Sequence, residues 1–311
     1  MTIEGAQGPA HRIAAEMASN SPWATTREPP RRRGGESVEA KILSRIGAGV
    51  PYFALENCVF DATELRAEAP SETEAENELG PASSAEVVRH ALVTGLSCLA
   101  LGRPDDGRSY YLPSSVDATF FASPAPFGGR IAYSAIGATQ SPVGGSAQVE
   151  ARVARELLAR LNVSFAVVEE HLFTRLFVAH KTTTFGDMGS YEDYQPFATC
   201  SHDAHCAQAG VVLESSDCRG HFYQYPALPV STLLGQLVRL SARLLPGGFR
   251  IGALKLRAPS IAWAGEQLDL RVTRTAGPWS LSARAAVAGR TVLSLDLAIQ
   301  GVASFPRQLA R

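Results

Sequence analysis

The chain has 311 residues, 45% of them hydrophobic, enough for two domains with separate cores. With 29 basic and 30 acidic residues the formal net charge is -1, so no overall field draws the protein to nucleic acid or an anionic membrane, and neither is an expected partner. Five scattered cysteines, no apolar leader and no run of the roughly 18 to 20 apolar residues that a membrane span requires predict a soluble protein of the reducing cytoplasm.

Residues 1–36 are rich in Ala, Ser, Pro and Gly and close on Arg31-Arg32-Arg33-Gly34-Gly35, which predicts a disordered tail. Its arginines read as a solvated charge run, with attraction of an acidic partner as the alternative. Cys58 to Ala67 reads as a strand, followed by an acidic loop from Glu72 to Glu78. Ser83 or Ser84 can cap a helix in which Val87, Val88, Ala91, Leu92, Leu96 and Leu99 recur at helical spacing with few polar interruptions, the pattern of a helix buried on most sides. After Gly102 to Gly107 the period becomes that of strands, at Tyr110–Phe121, Arg130–Gly137, Ala147–Val153 and Leu161–Val168. A short amphipathic helix over Glu169–Phe177 and a polar linker over Lys181–Gly189 close the first half.

The second half repeats this order. A strand over Gly210–Glu214 leads through His221 to an apolar helix that begins near Pro229, carries Leu233, Leu234, Leu237, Val238 and Leu240, and ends at Pro246-Gly247-Gly248. Strands follow at Arg250–Arg257, Gln267–Thr273, Leu281–Val287 and Val292–Ile299. Val87 to Leu92 aligns with Leu233 to Val238, and Ser123-Pro124 through Gly128 with Ala258-Pro259 through Ala264. The second alignment is offset by about ten residues fewer than the first, which assigns an insertion to the loop around Arg103–Gly107, where extra residues are tolerated cheaply. The expected domains are 37–180 and 181–311.

His221-Phe222-Tyr223-Gln224-Tyr225-Pro226-Ala227-Leu228-Pro229-Val230 resembles the H-F-x-G-x-P-x-x-P-G segment that enters the central helix of the β-hydroxyacyl carrier-protein dehydratases. His221, Phe222, Pro226 and Pro229 agree with the pattern, whereas Gln224 and Val230 replace its two glycines. The resemblance implies an α+β double hotdog, two antiparallel sheets each wrapping a central helix, and an acyl-thioester substrate carried by acyl carrier protein or coenzyme A in fatty-acid or polyketide metabolism. It also implies that the histidine removes the proton alpha to the thioester carbonyl while a helix acid assists at the β-hydroxyl. The acid's position falls on Gly235. Because such units pair with the histidine of one facing the helix of the other, His221 is expected to meet Arg89 or His90 of the first half, with Glu86 one turn earlier.

His221 is then the base, protonated His90 a proton donor, and Arg89 an oxyanion or phosphate clamp. A packed helix histidine satisfied by a backbone carbonyl is the other reading of His90. The mirror site lacks a histidine before Gly80-Pro81 and is expected to be dead, with Gln236 as a relic or plug. Two further activities stay open: a hotdog thioesterase in which Glu86 directs water, and a non-catalytic acyl-binding subunit. The chain forms a pseudo-dimer by itself, and a homodimer of it is left open.

Cys200-Ser201-His202-Asp203-Ala204-His205-Cys206 contains zinc-type ligands, but the spacing fits no common finger and the segment reads as a polar loop. Gly128-Gly129 and Gly144-Gly145 read as turns, no G-x-S-x-G elbow occurs, and no cofactor is expected. Tyr110, Tyr111, Phe120, Phe121, Tyr223 and Tyr225 are candidates for an acyl tunnel or for plain sheet packing.

Overall fold

The computed structural model describes residues 36–72, 77–182, 197–222, 224–277 and 279–301. The predicted tail lies outside them except for Glu36, as does the predicted linker beyond Thr182. The elements are helix α1 (Val38–Arg45), strands β1 (Glu56–Asp61) and β2 (Glu64–Pro70), helix α2 (Ser84–Gly102), strands β3 (Ser109–Phe120), β4 (Arg130–Ser141), β5 (Gly144–Val153) and β6 (Glu156–Glu169), and helix α3 (Glu170–Leu176). They continue with β7 (Thr199–His202), β8 (Cys206–Val212), helix α4 (Val230–Ser241), β9 (Phe249–Arg257), β10 (Gln267–Arg274), β11 (Ser280–Val287) and β12 (Arg290–Gly301).

Among the described residues all twelve strands join one antiparallel sheet in the order β1-β2-β4-β5-β6-β3-β9-β12-β11-β10-β8-β7. The order has the same connectivity read from either edge, so each half repeats the other, and the halves meet where β3 pairs with β9 from Ser115↔Arg257 to Thr119↔Ala253. Alternation along the strands turns one face inward. In β10, Leu268, Leu270 and Val272 are buried while their neighbours face out.

Helix α2 covers the inner face of the first half and α4 that of the second, and the two helices pack against each other. Nearly every side chain of α2 is buried, which explains why its sequence lacks a polar stripe. By length and composition alone this helix would also suit a membrane span, contrary to the sequence expectation, but here strands bury it. Gly95 permits the close approach, since a Cβ there would stand 2.8 Å from Val163 Cγ2 on β6. Helix α4 is amphipathic, and Leu233, Leu234, Leu237 and Leu240 fill the second half's core, each contributing about 2 kcal/mol by burial.

Several expectations need correction. The strand expected over Cys58–Ala67 is the hairpin β1-β2, turned at Ala62 with φ +49°. The ten extra residues of the first half do not sit in the loop around Arg103–Gly107: α2 has 19 residues against 12 in α4, and β3 has 12 against 9 in β9. The surplus therefore extends paired elements. Cys200 to Cys206 is a hairpin, β7-β8, whose tip is held by the Asp203 carboxylate accepting from the backbone N–H groups of His205 at 2.7 Å and Cys206 at 2.8 Å.

Candidate active site

The chain leaves β8 and runs through a short 3-10 turn, Ser215–Cys218, closed by the Glu214 N–H donating to Asp217 Oδ2 at 2.7 Å. It then passes under the segment that links α1 to β1. Gly220, at φ +68°, is the crossing point: its carbonyl accepts from Gly49 N at 2.7 Å, and a Cβ there would lie 2.3 Å from the Gly49 oxygen. Only glycine fits such an approach.

His221 follows, 7% exposed. Its Nδ1 lies 2.8 Å from the Ala227 carbonyl oxygen, to which only a protonated Nδ1 can donate, so Nε2 carries the lone pair. The imidazole stacks on Phe222 at 3.9 Å between centroids, and Tyr52 meets it edge-on at 4.7 Å. Burial pushes its pKa down to about 4, against the smaller opposing effect of the Ala227 carbonyl. The histidine is thus neutral at physiological pH, and more weakly basic than the near-neutral value expected from the residue type.

Phe222 at φ +53° and Gln224 at φ +66° both occupy the left-handed region, a costly state for non-glycine residues that is concentrated at functional sites. Gln224 stands where the dehydratase motif has glycine. Gln224 therefore adopts a backbone conformation that glycine would take more readily. Val230, at the second departure from the motif, is simply the first residue of α4.

His221 and Phe222 line two cavities at once. The larger, about 750 Å³, extends between α4 and the sheet, where Leu112, Ala166, Leu228, Val230, Leu233 and Val292 line it together with the polar side chains of Ser114, His180, Arg257, Ser260, Glu266 and Arg290. The smaller, about 550 Å³, opens toward the α1 side and is lined by Gly47, Ala48, Gly49, Val50 and Gly220 together with Arg108, Thr182, Arg219 and Gln224. Of the aromatic candidates, Tyr110 and Tyr225 belong to a packed cluster with Phe173 and Phe222, and Tyr110 stacks on Phe173 at 3.7 Å. Tyr225 also faces the smaller cavity. Tyr111 meets Phe165 edge-on in the core, whereas Tyr223 is outside the described residues.

Helix α4 reaches this site with no side-chain cap, because Pro229 sits at its N-cap. The backbone donors of its first turn lack the acceptor that Ser, Thr, Asp or Asn would supply there. Its counterpart α2 is capped by Ser83 Oγ, which accepts from Glu86 N at 3.2 Å, and by Glu78 Oε1, which accepts from Ser84 N at 2.9 Å. Beside it the corresponding cavity measures about 30 Å³. Burial pushes the Glu78 carboxyl up to about 7.

The other three candidates form a separate buried cluster on α2. Glu86 Oε1 accepts from Glu72 N at 2.5 Å and stands 3.6 Å from His90 Nε2; Arg89 bonds Glu72 and places Nη2 3.1 Å from His90 Nε2. His90 is fully buried, which lowers its pKa and works against the protonated donor expected of it, although Glu86 opposes the shift. Nor does it bond a backbone carbonyl through its ring: Nδ1 has no partner among the described residues. Glu72, Glu86 and His90 could by position ligate a cation, their donor atoms lying within 4.8 Å of one another. The Arg89 guanidinium already supplies a positive charge there. His221's own bonds and ring contacts go instead to Ala227, Phe222 and Tyr52.

Tyr52 is what joins the two neighbourhoods. Its ring touches His221, while its hydroxyl feels the charge of Arg89 and approaches Ser231 at the start of α4; burial pushes its pKa up to about 12. Sequence reading missed Tyr52 because it precedes the repeat.

No family model matches the chain, and no curated protein matches it in sequence. Solved structures do. An acyl-ACP thioesterase from Bacteroides thetaiotaomicron superimposes with a TM-score of 0.52 at 10% identity, over 76% of this chain and 98% of that one. The 12:0-ACP thioesterase from Umbellularia californica does so with 0.53 at 11% identity, over 78% of this chain and 99% of that one. At such identity the likeness is one of fold: the chain has the hotdog-like architecture, a large antiparallel sheet with a few helices.

Proposed function

We propose that the chain is a tandem pair of hotdog units, 37–180 and 181–311, that hydrolyses an acyl thioester at a single site built around His221. The observation that carries this reading is a buried, neutral histidine with its tautomer fixed by the Ala227 carbonyl, at the meeting point of two cavities. Similarity of fold to acyl-ACP thioesterases supports the substrate class.

In the proposed step His221 Nε2 accepts a proton from water as the water oxygen attacks the thioester carbonyl carbon. The uncapped N–H groups at the start of α4 stabilise the negative charge that develops on the carbonyl oxygen. Collapse breaks the C–S bond, and the imidazolium returns the proton to the departing thiolate. Acid and thiol leave, with atoms and charge balanced.

Dehydration, which the motif first suggests, lacks its acid at the motif position, since Gly235 has no side chain, and burial lowers the pKa of His90, against its use as a proton donor. Mass spectrometry after incubation with β-hydroxyacyl thioesters of coenzyme A and of acyl carrier protein separates the readings. Free acid that disappears with His221→Ala is the expected result. An enoyl thioester would restore the dehydratase, and unchanged substrate would favour a non-catalytic acyl-binding protein.

A further inference from the structure

The bond from Nδ1 to the Ala227 carbonyl anchors the His221 ring at a single atom and leaves it free to tilt about that point. Phe222 closes one face of the imidazole, at 3.9 Å between centroids, and is itself backed by the fully buried Phe173 of α3, 5.5 Å away. Tyr52 closes another side: its ring, 2% exposed, meets the imidazole at 4.7 Å with the planes 60° apart. Tyr52 is held at both ends. The link before it is bonded to the His221 loop, Gly49 N donating to the Gly220 carbonyl at 2.7 Å, and a Cβ on Gly220 would lie 2.7 Å from Tyr52 N. At the far end the hydroxyl approaches Ser231 in the first turn of α4 and feels the charge of Arg89 on α2. Burial pushes this phenol up to about 12, so it stays protonated in the neutral range and exchanges no proton with the imidazole there.

We infer that Tyr52 is a positioning residue for the candidate base, blocking the tilt that the Ala227 bond permits, keeping water off the ring, and tying the loop that carries His221 to the start of α4; the inference rests on the hydrolytic reading of His221. Base and oxyanion donors lie on separate elements, the 221–227 loop and α4, and attack on a thioester is productive only when the two are held in register. Tyr52 precedes the repeat, so this register is set by a part of the chain that the duplication did not supply.

Tyr52→Phe keeps the ring and removes the hydroxyl, whereas Tyr52→Leu removes both, with Tyr52→Met in its place where Leu does not fold by urea titration. In each full-length variant the His221 ring is titrated by NMR of its imidazole carbons, its signal among those of the seven histidines being assigned by its loss in His221→Asn. Hydrolysis of octanoyl-coenzyme A is measured alongside. Tyr52→Leu should admit water to the ring and raise its midpoint from about 4 by about one pH unit or more. It should also lower kcat about tenfold with KM within about twofold of the parent. Tyr52→Phe should titrate as the parent does and recover most of kcat. In the smaller cavity the imidazole shares the lining with the ionisable groups of Cys218, Tyr225, Arg108 and Arg219, and in the larger with those of His180, Arg257, Glu266 and Arg290. All are common to parent and variants, so a changed titration is due to Tyr52. A shifted titration in Tyr52→Leu without hydrolysis by the parent would uphold the hold on the ring and sink the hydrolytic reading. An unmoved titration in the folded Leu or Met variant, a loss carried by KM alone, or an equal loss of kcat in the Phe variant would overturn the inference.

Discussion

At the start of α2, Ser83 and Glu78 occupy the first-turn donors, and the space beside them has shrunk to about 30 Å³. At the start of α4, Pro229 supplies no acceptor, and a cavity of about 750 Å³ runs past Val230 to His221. The strand order around the two helices is the same, so the difference lies in the loops that lead into them. One loop ends in groups that satisfy the helix, the other in a proline and a left-handed turn that aims an imidazole at the cavity. Capping a helix and keeping its N–H groups available for a substrate are competing uses of the same atoms.

The largest effect expected from this contrast is that of His221→Ala, which should lower kcat/KM for an acyl thioester by a factor on the order of 10² to 10⁴, with the far-ultraviolet dichroism unchanged. Equal turnover by parent and variant would make the two halves alike in being structural.

Next in size is an acid-side loss of stability. The unfolded chain protonates His221 near pH 6.5, whereas the folded chain resists until about pH 4. The unfolded state therefore binds the extra proton in that window, and stability falls by about 3 kcal/mol as pH drops from 6.5 to 4. Glu78 acts with the opposite sign: its raised value adds stability that is present in acid and is lost as pH rises through about 7. Urea titrations of the parent and of His221→Phe across this range isolate the histidine, because Glu78 is common to both. Parallel curves would refute the buried neutral imidazole.

Giving α4 the cap that α2 has, through Pro229→Ser, should raise stability by about 1 kcal/mol and lower turnover roughly tenfold, as a side chain takes up donors that the developing oxyanion uses. Faster turnover would show that those N–H groups are not part of the reaction. The smallest effect is expected of Ser83→Ala, a loss of about 1 kcal/mol in a denaturant titration with turnover unchanged. A fall in turnover would place the first half's helix in the chemistry.

Much of this contrast was legible from residue order. Helical spacing from Val87 to Leu99 and from Leu233 to Leu240 located both helices, and period-two runs located eight of the later strands, because burial on one face imposes those periods directly. The hairpin turn at Ala62 was hidden, since a left-handed alanine carries no compositional mark, and β7 was hidden by its short polar run. His221 was found from the residues around it. Its partners were not: Ala227 contributes only a carbonyl, and Tyr52 arrives from a segment that nothing in the repeat points to. The expected meeting of His221 with Arg89 or His90 assumed direct facing across the seam, where the structure interposes Tyr52.

The pairing of β3 with β9 occurs within one polypeptide. In an assembly of two identical chains, a substitution at one side of the dyad appears at the other as well. A covalent pair is free of that constraint: a glycine can stand on α4 where α2 has Arg89, and a proline can open one helix while a serine closes the other. The link between the halves is also indifferent to dilution, because neither can leave the other's neighbourhood. On the proposed reading, the chain devotes one helix start to holding the sheet together and reserves its counterpart for reaction.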